Sequence, residues 1–144
     1  MTDMPGKGDS SPKRILWVDD EPDAAFYHRK YLEHVCAGGF EVTQALDVAQ
    51  ALDYLMKQRW DMVILDLILP MQAGAPVRTA PGLDLLRWIR NESPDPGVPV
   101  IAVSAYRKQH VQEELEALGA ALLSKPVDPH RLVECLQQAT RPES

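Results

Sequence analysis

The chain has 144 residues, enough for one domain and too short for two ordinary ones. Its 15 basic and 21 acidic residues give a net charge of −6, which argues against nonspecific binding of nucleic acid or of an anionic membrane. No apolar run approaches the roughly 20 residues that span a bilayer, and the N-terminus lacks the apolar core of a signal peptide. A cytoplasmic location is therefore expected.

The composition divides the chain into a domain and two tails. Residues 1–12 are rich in Gly, Pro, Ser and Asp and predict a disordered tail, residues 13–140 form the domain, and residues 141–144 are a C-terminal tail. Within the domain, apolar segments that predict strands alternate with amphipathic segments that predict helices. The predicted strands are residues 15–18, 41–46, 62–65, 100–103 and 121–123, and the predicted helices are residues 22–36, 48–55, 83–90, 111–118 and 129–139.

Strands that are separated by helices predict a parallel sheet with right-handed crossovers. The first, third and fourth strands are continuous apolar runs, which indicates that both of their faces are buried. The second and fifth patterns are weaker and predict edge strands. The strand order 2-1-3-4-5 satisfies both conditions, so the fold class is α/β: a doubly wound five-stranded parallel sheet of the flavodoxin-like kind.

Polar residues follow the predicted strands at their carboxyl ends. Asp19 and Asp20 end the first strand, and Asp66 ends the third; the fourth and fifth strands end at Ser104 and Lys125. Each could by itself be a helix cap, a turn residue or a surface charge. Because ligands of such sheets bind where the strand order reverses, the three aspartates are expected to converge. Converging carboxylates repel one another, and oxygen ligands without His or Cys favour Mg²⁺ as the ion that relieves this repulsion.

A carboxylate, a hydroxyl and a lysine around Mg²⁺ suit phosphoryl transfer. A carboxylate oxygen can attack phosphorus and form an acyl phosphate. In that chemistry Lys125 and the metal would offset charge on the phosphoryl oxygens, and Ser104 would donate a hydrogen bond to one of them.

Four segments carry a family resemblance: ILWVDDEP, VILDLILP, VIAVSA and LLSKP, in this order and on the predicted strand ends. With them, residues 14–140 resemble the receiver domain of bacterial two-component response regulators. The resemblance implies that Asp66 is the phosphoacceptor and that Asp20 binds Mg²⁺ directly, with Asp19 assisting. It also implies that the backbone carbonyl of Ile68 is a metal ligand.

The same resemblance implies that Ser104 is the switch hydroxyl and that Lys125 lies beside the phosphate. A histidine kinase or phosphotransfer protein would donate the phosphoryl group, and a downstream protein target would respond to it. The bond between Lys125 and Pro126 is expected to be cis. The domain is then a signalling module and not a conventional enzyme, although Asp66 takes part in its own phosphorylation.

The sequence departs from the family pattern at the switch. Receivers usually carry Tyr or Phe three residues before the lysine, and this chain has Leu122 there. We therefore expect switching to be muted or rerouted at Leu122. Val127 replaces the usual Phe after the proline, which we interpret as a change in packing.

A second departure is the segment after Pro70. Gly74 lies where receivers have the glycine that opens the third helix, yet the helix pattern begins at Gly82. The insertion is about eight residues, and it makes residues 71–81 longer than ordinary strand-to-helix connections. It is either a tolerated surface loop or a lid or partner-contact loop beside Asp66, with Arg78 as its only charge.

Two other functions remain open. One is a receiver-fold scaffold that binds partners without phosphorylation, and the other is a Mg²⁺-dependent phosphatase with an aspartate nucleophile. The phosphatase reading lacks the general acid two residues after the nucleophile, where Ile68 stands. The histidines show no metal-ligand spacing and are expected on helix surfaces: His28, His34, His110 and His130.

Overall fold

The computed structural model describes residues 12–21, 26, 28–32, 39–67, 69–70, 77–78, 81–104, 109–125 and 127–139. Most of the two predicted tails and both ends of the first predicted helix lie outside these residues. The division into a domain and two tails stays a prediction.

Five parallel strands form the sheet, and their spatial order is the predicted 2-1-3-4-5. In the register, Val18 pairs with Ala45 on one side and Leu65 on the other, and Leu65 pairs with Ala102. The carboxyl ends of the neighbouring strands therefore meet at one edge of the sheet. In spatial order the strands are β2 (Phe40–Ala45), β1 (Lys13–Val18), β3 (Met62–Asp66), β6 (Val100–Ser104) and β7 (Ala120–Ser124).

Two apolar cores cover the two faces of the sheet, because successive side chains of a strand point to opposite faces. On one face Leu16, Leu65 and Ala102 belong to one core, and on the other Trp17 and Ile64 belong to the second. β3 and β6 are buried along their whole length, as their continuous apolar runs predict. The helices are α1 (residues 26 and 28–32 described), α2 (Val48–Lys57), α3 (Pro81–Glu92), α4 (Gln109–Ala117) and α5 (Pro129–Ala139). No helix in the described part of the chain is long and apolar enough to cross a membrane.

Side-chain caps fix where α2 begins. Asp47 Oδ1 accepts the backbone N–H of Gln50 at 2.7 Å, and Gln50 Oε1 accepts the N–H of Leu46 at 2.9 Å. The first bond satisfies a backbone donor that the helix itself leaves unpaired, and the second ties the residue before the cap to the first turn of the helix. The helix therefore starts directly after β2, which keeps the connection at the site edge of the sheet short.

The segment between β3 and α3 contains a pair of short strands that the sequence did not indicate. β4 (Leu69–Pro70) and β5 (Val77–Arg78) pair antiparallel, with Leu69 opposite Arg78 and Pro70 opposite Val77. Strands of two residues are too short to show an alternating pattern, and a proline argues against a strand. The sequence therefore predicts a loop over residues 71–81, and β5 lies within it.

His28 is not the surface residue that the sequence suggested. Its ring stacks on the indole of Trp17, with 5.1 Å between ring centroids and 17° between ring planes. Within the described part of the chain, Nδ1 of His28 is buried without a hydrogen-bond partner. Burial lowers the pKa of His28, and the opposing charge of Asp19 offsets this only in part.

We expect His28→Phe to make the protein less sensitive to acid. Below the ordinary histidine pKa of 6.5 the unfolded chain takes up a proton that the folded chain resists, so stability falls as the pH drops from 6.5 towards the lowered folded pKa. Phenylalanine keeps a ring on Trp17 and removes this titration. Urea unfolding at about pH 7.5 and about pH 5.5 measures the effect. Equal losses of stability in wild type and variant would contradict the prediction.

Candidate functional site

Three aspartates meet at the carboxyl edge of the sheet. Asp19 and Asp20 follow β1, and Asp66 is the last residue of β3. One carboxylate oxygen from each of the three side chains lies within 4.8 Å of the other two. Asp19 and Asp66 are buried, whereas Asp20 is exposed. The site is thus a cluster of negative charge that opens to solvent on the side of Asp20.

Backbone hydrogen bonds position Asp19 at the end of β1. Its N–H donates to the carbonyl of Ala45 at 2.9 Å, which continues the pairing of β1 and β2 by one residue. Its Oδ1 accepts the N–H of Glu21 at 2.9 Å and so closes a tight turn. The other carboxylate oxygen, Oδ2, lies 3.6 Å from Nζ of Lys125.

The first turn of α3 lies against the backbone of Asp66 and Leu67. The N–H of Gly82 donates to the carbonyl of Leu67 at 3.2 Å. A Cβ at Gly82 would lie 2.5 Å from the carbonyl oxygen of Asp66 and 2.5 Å from Cα of Leu67, so a side chain does not fit here. α3 begins at Pro81, which agrees with the helix start inferred from Gly82.

Lys125 is the cation of the site. Its Nζ lies 2.9 Å from Oδ2 of Asp66, and its backbone N–H donates to the carbonyl of Ser104 at 3.0 Å. Burial alone would lower the pKa of Lys125, but the hydrogen bond and charge of Asp66, with the charge of Asp19, outweigh it and raise this pKa. The lysine is therefore charged at neutral pH. Among the described residues, one ammonium group faces three carboxylates, so this part of the site carries an excess of negative charge.

The donor set fits a hard divalent cation. Three carboxylates that converge without a His or Cys among them provide oxygen ligands alone, which Mg²⁺ and Ca²⁺ prefer. The excess of negative charge also favours a divalent cation, because the cation would reduce the repulsion among the carboxylates.

Ser104 and Leu122 lie on neighbouring strands beside this cluster. Ser104 ends β6 and is buried, and Leu122 on β7 is half-buried and packs against the core that includes Ala102. Ala102 pairs with Leu122 and is two residues before Ser104, so all three belong to the same face of the sheet. A leucine here fills part of the core and provides no aromatic ring at this position.

Several predicted features lie outside the described residues. These are the carbonyl of Ile68, the glycine of the insertion at Gly74, and the bond between Lys125 and Pro126. Arg78 belongs to β5, for which the backbone pairing alone is described.

Gln44 contacts the acidic loop and was not identified from the sequence. It lies on β2 and its side chain donates to the carbonyls of Asp19, at 2.8 Å, and of Glu21, at 2.7 Å. A polar residue on an edge strand is ordinarily read as facing water. The register, in which Gln44 pairs with Trp17 two residues before Asp19, is the signal that could have revealed the contact.

Known proteins share both the sequence pattern and the fold of this chain. Residues 15–137 match the family described as response regulator receiver domain. DivK of Brucella anthropi, a polar-differentiation response regulator, is 27% identical over 127 residues, which cover 88% of this chain and 94% of DivK. TcrX of Mycobacterium tuberculosis, a probable transcriptional regulatory protein, is 31% identical over 138 residues, which cover 94% of this chain and 53% of TcrX.

Solved structures give the same result. A CheY-like response regulator receiver domain protein from Methanospirillum hungatei is 27% identical with a TM-score of 0.71, and the match covers 89% of this chain and 93% of that one. The receiver domain of the sensor histidine kinase PA1611 from Pseudomonas aeruginosa is 28% identical with a TM-score of 0.71, covering 90% and 98% of the two chains. In that structure a magnesium ion is coordinated in the active-site cleft.

Proposed function

This chain belongs to the response regulator receiver domain family, and on that basis we propose that it accepts a phosphoryl group on the carboxylate of Asp66. The observation that carries the proposal is the pair of Asp66 and Lys125 at 2.9 Å, beside the carboxylates of Asp19 and Asp20. An anionic nucleophile and a fixed cation are thereby held where a phosphoryl group can reach both.

In the proposed reaction, a carboxylate oxygen of Asp66 attacks phosphorus and forms the new P–O bond of an acyl phosphate. The bond between phosphorus and the donor breaks, and the donor atom keeps the electron pair. Lys125 supports this step because its ammonium group is held by Asp66 and Asp19 before any phosphoryl group arrives. A cation fixed in advance stabilises the charge on the phosphoryl oxygens without having to reorganise.

We assign the metal site to Asp19, Asp20 and Asp66, with the carbonyl of Ile68 as a further ligand that the family resemblance implies. When bound, Mg²⁺ would offset charge on the carboxylates and on the phosphoryl oxygens. Burial of Asp19 and Asp66 limits their movement, and the exposed Asp20 leaves a path to solvent for the ion and for the water it retains.

We propose that the hydroxyl of Ser104 donates a hydrogen bond to a phosphoryl oxygen, and that the resulting movement of Ser104 is the signal. In most receivers an aromatic residue moves with this hydroxyl, and here Leu122 takes that position. Because Leu122 packs against the same core as Ala102, its movement would cost apolar contacts. We therefore propose that the signal passes through other residues or is weaker than in receivers with the aromatic.

The proposed partners are a histidine kinase or phosphotransfer protein as phosphodonor and an unidentified downstream protein, all in the cytoplasm. We also propose that the long segment of residues 71–81 is a contact surface for one of them, since the strand β4 that precedes it begins three residues after Asp66. We expect no direct binding of nucleic acid by this domain, because its net charge is −6.

Incubation with Mg²⁺ and acetyl phosphate, followed by intact mass spectrometry, tests the proposed function. We expect wild type to gain one acid-labile phosphoryl group and Asp66→Asn to gain none, because the amide is not nucleophilic at oxygen in this way. Full labelling of Asp66→Asn would contradict the assignment. A wild type that takes up no phosphoryl group would favour the scaffold, and steady release of phosphate from many phosphomonoesters would favour the phosphatase.

A further inference from the structure

Gln44 joins the edge strand β2 to the acidic loop after β1. Its Nε2 donates to the carbonyl of Asp19 at 2.8 Å and to the carbonyl of Glu21 at 2.7 Å, so both amide hydrogens have an acceptor. Backbone carbonyls only accept hydrogen bonds, and this fixes which end of the amide faces the loop. A single side chain thus holds the loop at two points.

The loop between these two points carries Asp19 and Asp20 and is therefore subject to electrostatic repulsion. Asp19 and Asp20 bring two negative charges against Asp66, and Asp20 is exposed, so repulsion would push the loop towards solvent. Within the described residues, the contacts that oppose this are the two bonds from Gln44, the turn bond from Glu21 to Asp19 Oδ1, the bond from Asp19 to Ala45, and the ion pair of Asp19 with Lys125.

We propose that Gln44 is a positioning residue that sets the affinity of the aspartate cluster for a divalent cation. This rests on the proposed function, because the cluster is taken as the metal site. Gln44 does not supply a metal ligand in this proposal. It holds the backbone that carries two of the ligands, so the cation does not have to order the loop when it binds.

The chemistry of the side chain supports this role. A glutamate at residue 44 would accept instead of donate, would face two carbonyl oxygens, and would add a negative charge beside three others. An asparagine would be one methylene too short to reach both carbonyls. The neutral amide with two donors is therefore the group that this position requires.

The test compares wild type with Gln44→Met, which keeps the length and shape of the side chain and removes both donors. Mg²⁺ is titrated into each protein and followed by tryptophan fluorescence, since Trp17 is two residues before Asp19. We expect the dissociation constant for Mg²⁺ to rise on the order of tenfold, the range found when partners of metal ligands are removed. At saturating Mg²⁺ the rate of phosphorylation by acetyl phosphate should return to that of wild type.

A readout without metal separates positioning from general damage. In the metal-free protein the amide proton of Glu21 should exchange with solvent faster in Gln44→Met, while amides of β3 exchange as in wild type. Gln137→Met, the same change at an exposed position of α5, is the matched control and should alter neither quantity.

Unchanged affinity for Mg²⁺ in Gln44→Met, with normal binding in wild type, would overturn the proposal for Gln44 and leave the proposed function intact. A rate that stays low at saturating Mg²⁺ would also overturn it, because Gln44 would then act on more than the metal. Absence of Mg²⁺ binding in wild type would overturn the metal site itself.

Discussion

Lys125→Met is expected to slow phosphorylation of Asp66 by about 10²–10³-fold, the effect of removing one fixed donor from a developing negative charge. Methionine has nearly the length of lysine and no charge, so packing is kept while the cation at 2.9 Å from Asp66 is lost. The remaining carboxylates of Asp19, Asp20 and Asp66 would then repel an incoming phosphoryl group. The measurement is the initial rate with acetyl phosphate at saturating Mg²⁺.

Lys57→Met is the matched control for this substitution. Lys57 lies 2.9 Å from Asp53, the same separation as in the pair at the site, but both side chains are more than half exposed on α2. An exposed ion pair of this kind contributes little, so the rate of phosphorylation should be unchanged. A rate for Lys125→Met within a few-fold of the Lys57→Met rate would mean that the ammonium group does not act on the phosphoryl group.

Gly82→Ala is expected to lower the free energy of unfolding by about 3 kcal/mol, the upper part of the range for overpacked sites. The added Cβ would lie 2.5 Å from the carbonyl oxygen of Asp66 and from Cα of Leu67. Both neighbours are backbone atoms, so neither can turn aside as a flexible side chain would. Urea denaturation measures the loss, and a lower rate of phosphorylation should accompany it because the backbone of Asp66 must shift.

Two other glycines provide the controls for Gly82. At Gly97 no heavy atom of the described chain lies within 4 Å of an added Cβ, so Gly97→Ala should be neutral or slightly stabilising. Gly119 also has open space but a φ of 70°, so Gly119→Ala should cost about 1 kcal/mol through backbone strain alone. If Gly82→Ala lowered the free energy of unfolding no more than Gly97→Ala, α3 would not pack as closely against Asp66 as the structure shows.

The order of the sheet could be predicted because burial leaves a direct mark on the sequence. β3 and β6 are apolar at every position before their last residue, which happens when both faces are covered, and this puts them at the centre. The ends of those strands then place Asp66 near Asp19, since parallel strands end at a shared edge. The place of each aspartate thus followed from a pattern of apolar residues around it.

The features that the sequence did not reveal depend on contacts between distant residues. Gln44 and Glu21 are 23 positions apart, and a donor on an edge strand looks the same whether it faces water or a carbonyl. His28 occupies a helix whose pattern allows it to face either solvent or the sheet, and the stack on Trp17 decides between them. The close approach at Gly82 depends on how α3 packs on β3, which local sequence does not encode.

Locating the phosphoryl group on the chain tests directly whether Asp66 is the phosphoacceptor. Protein phosphorylated with acetyl phosphate is treated with borohydride, which reduces an aspartyl phosphate to homoserine, and the digested peptides are mapped by mass spectrometry. We expect homoserine at residue 66 in wild type and in Lys57→Met, at a level that follows the extent of phosphorylation. Homoserine at residue 19 or 20, or a phosphorylated protein with an unreduced Asp66, would contradict this assignment.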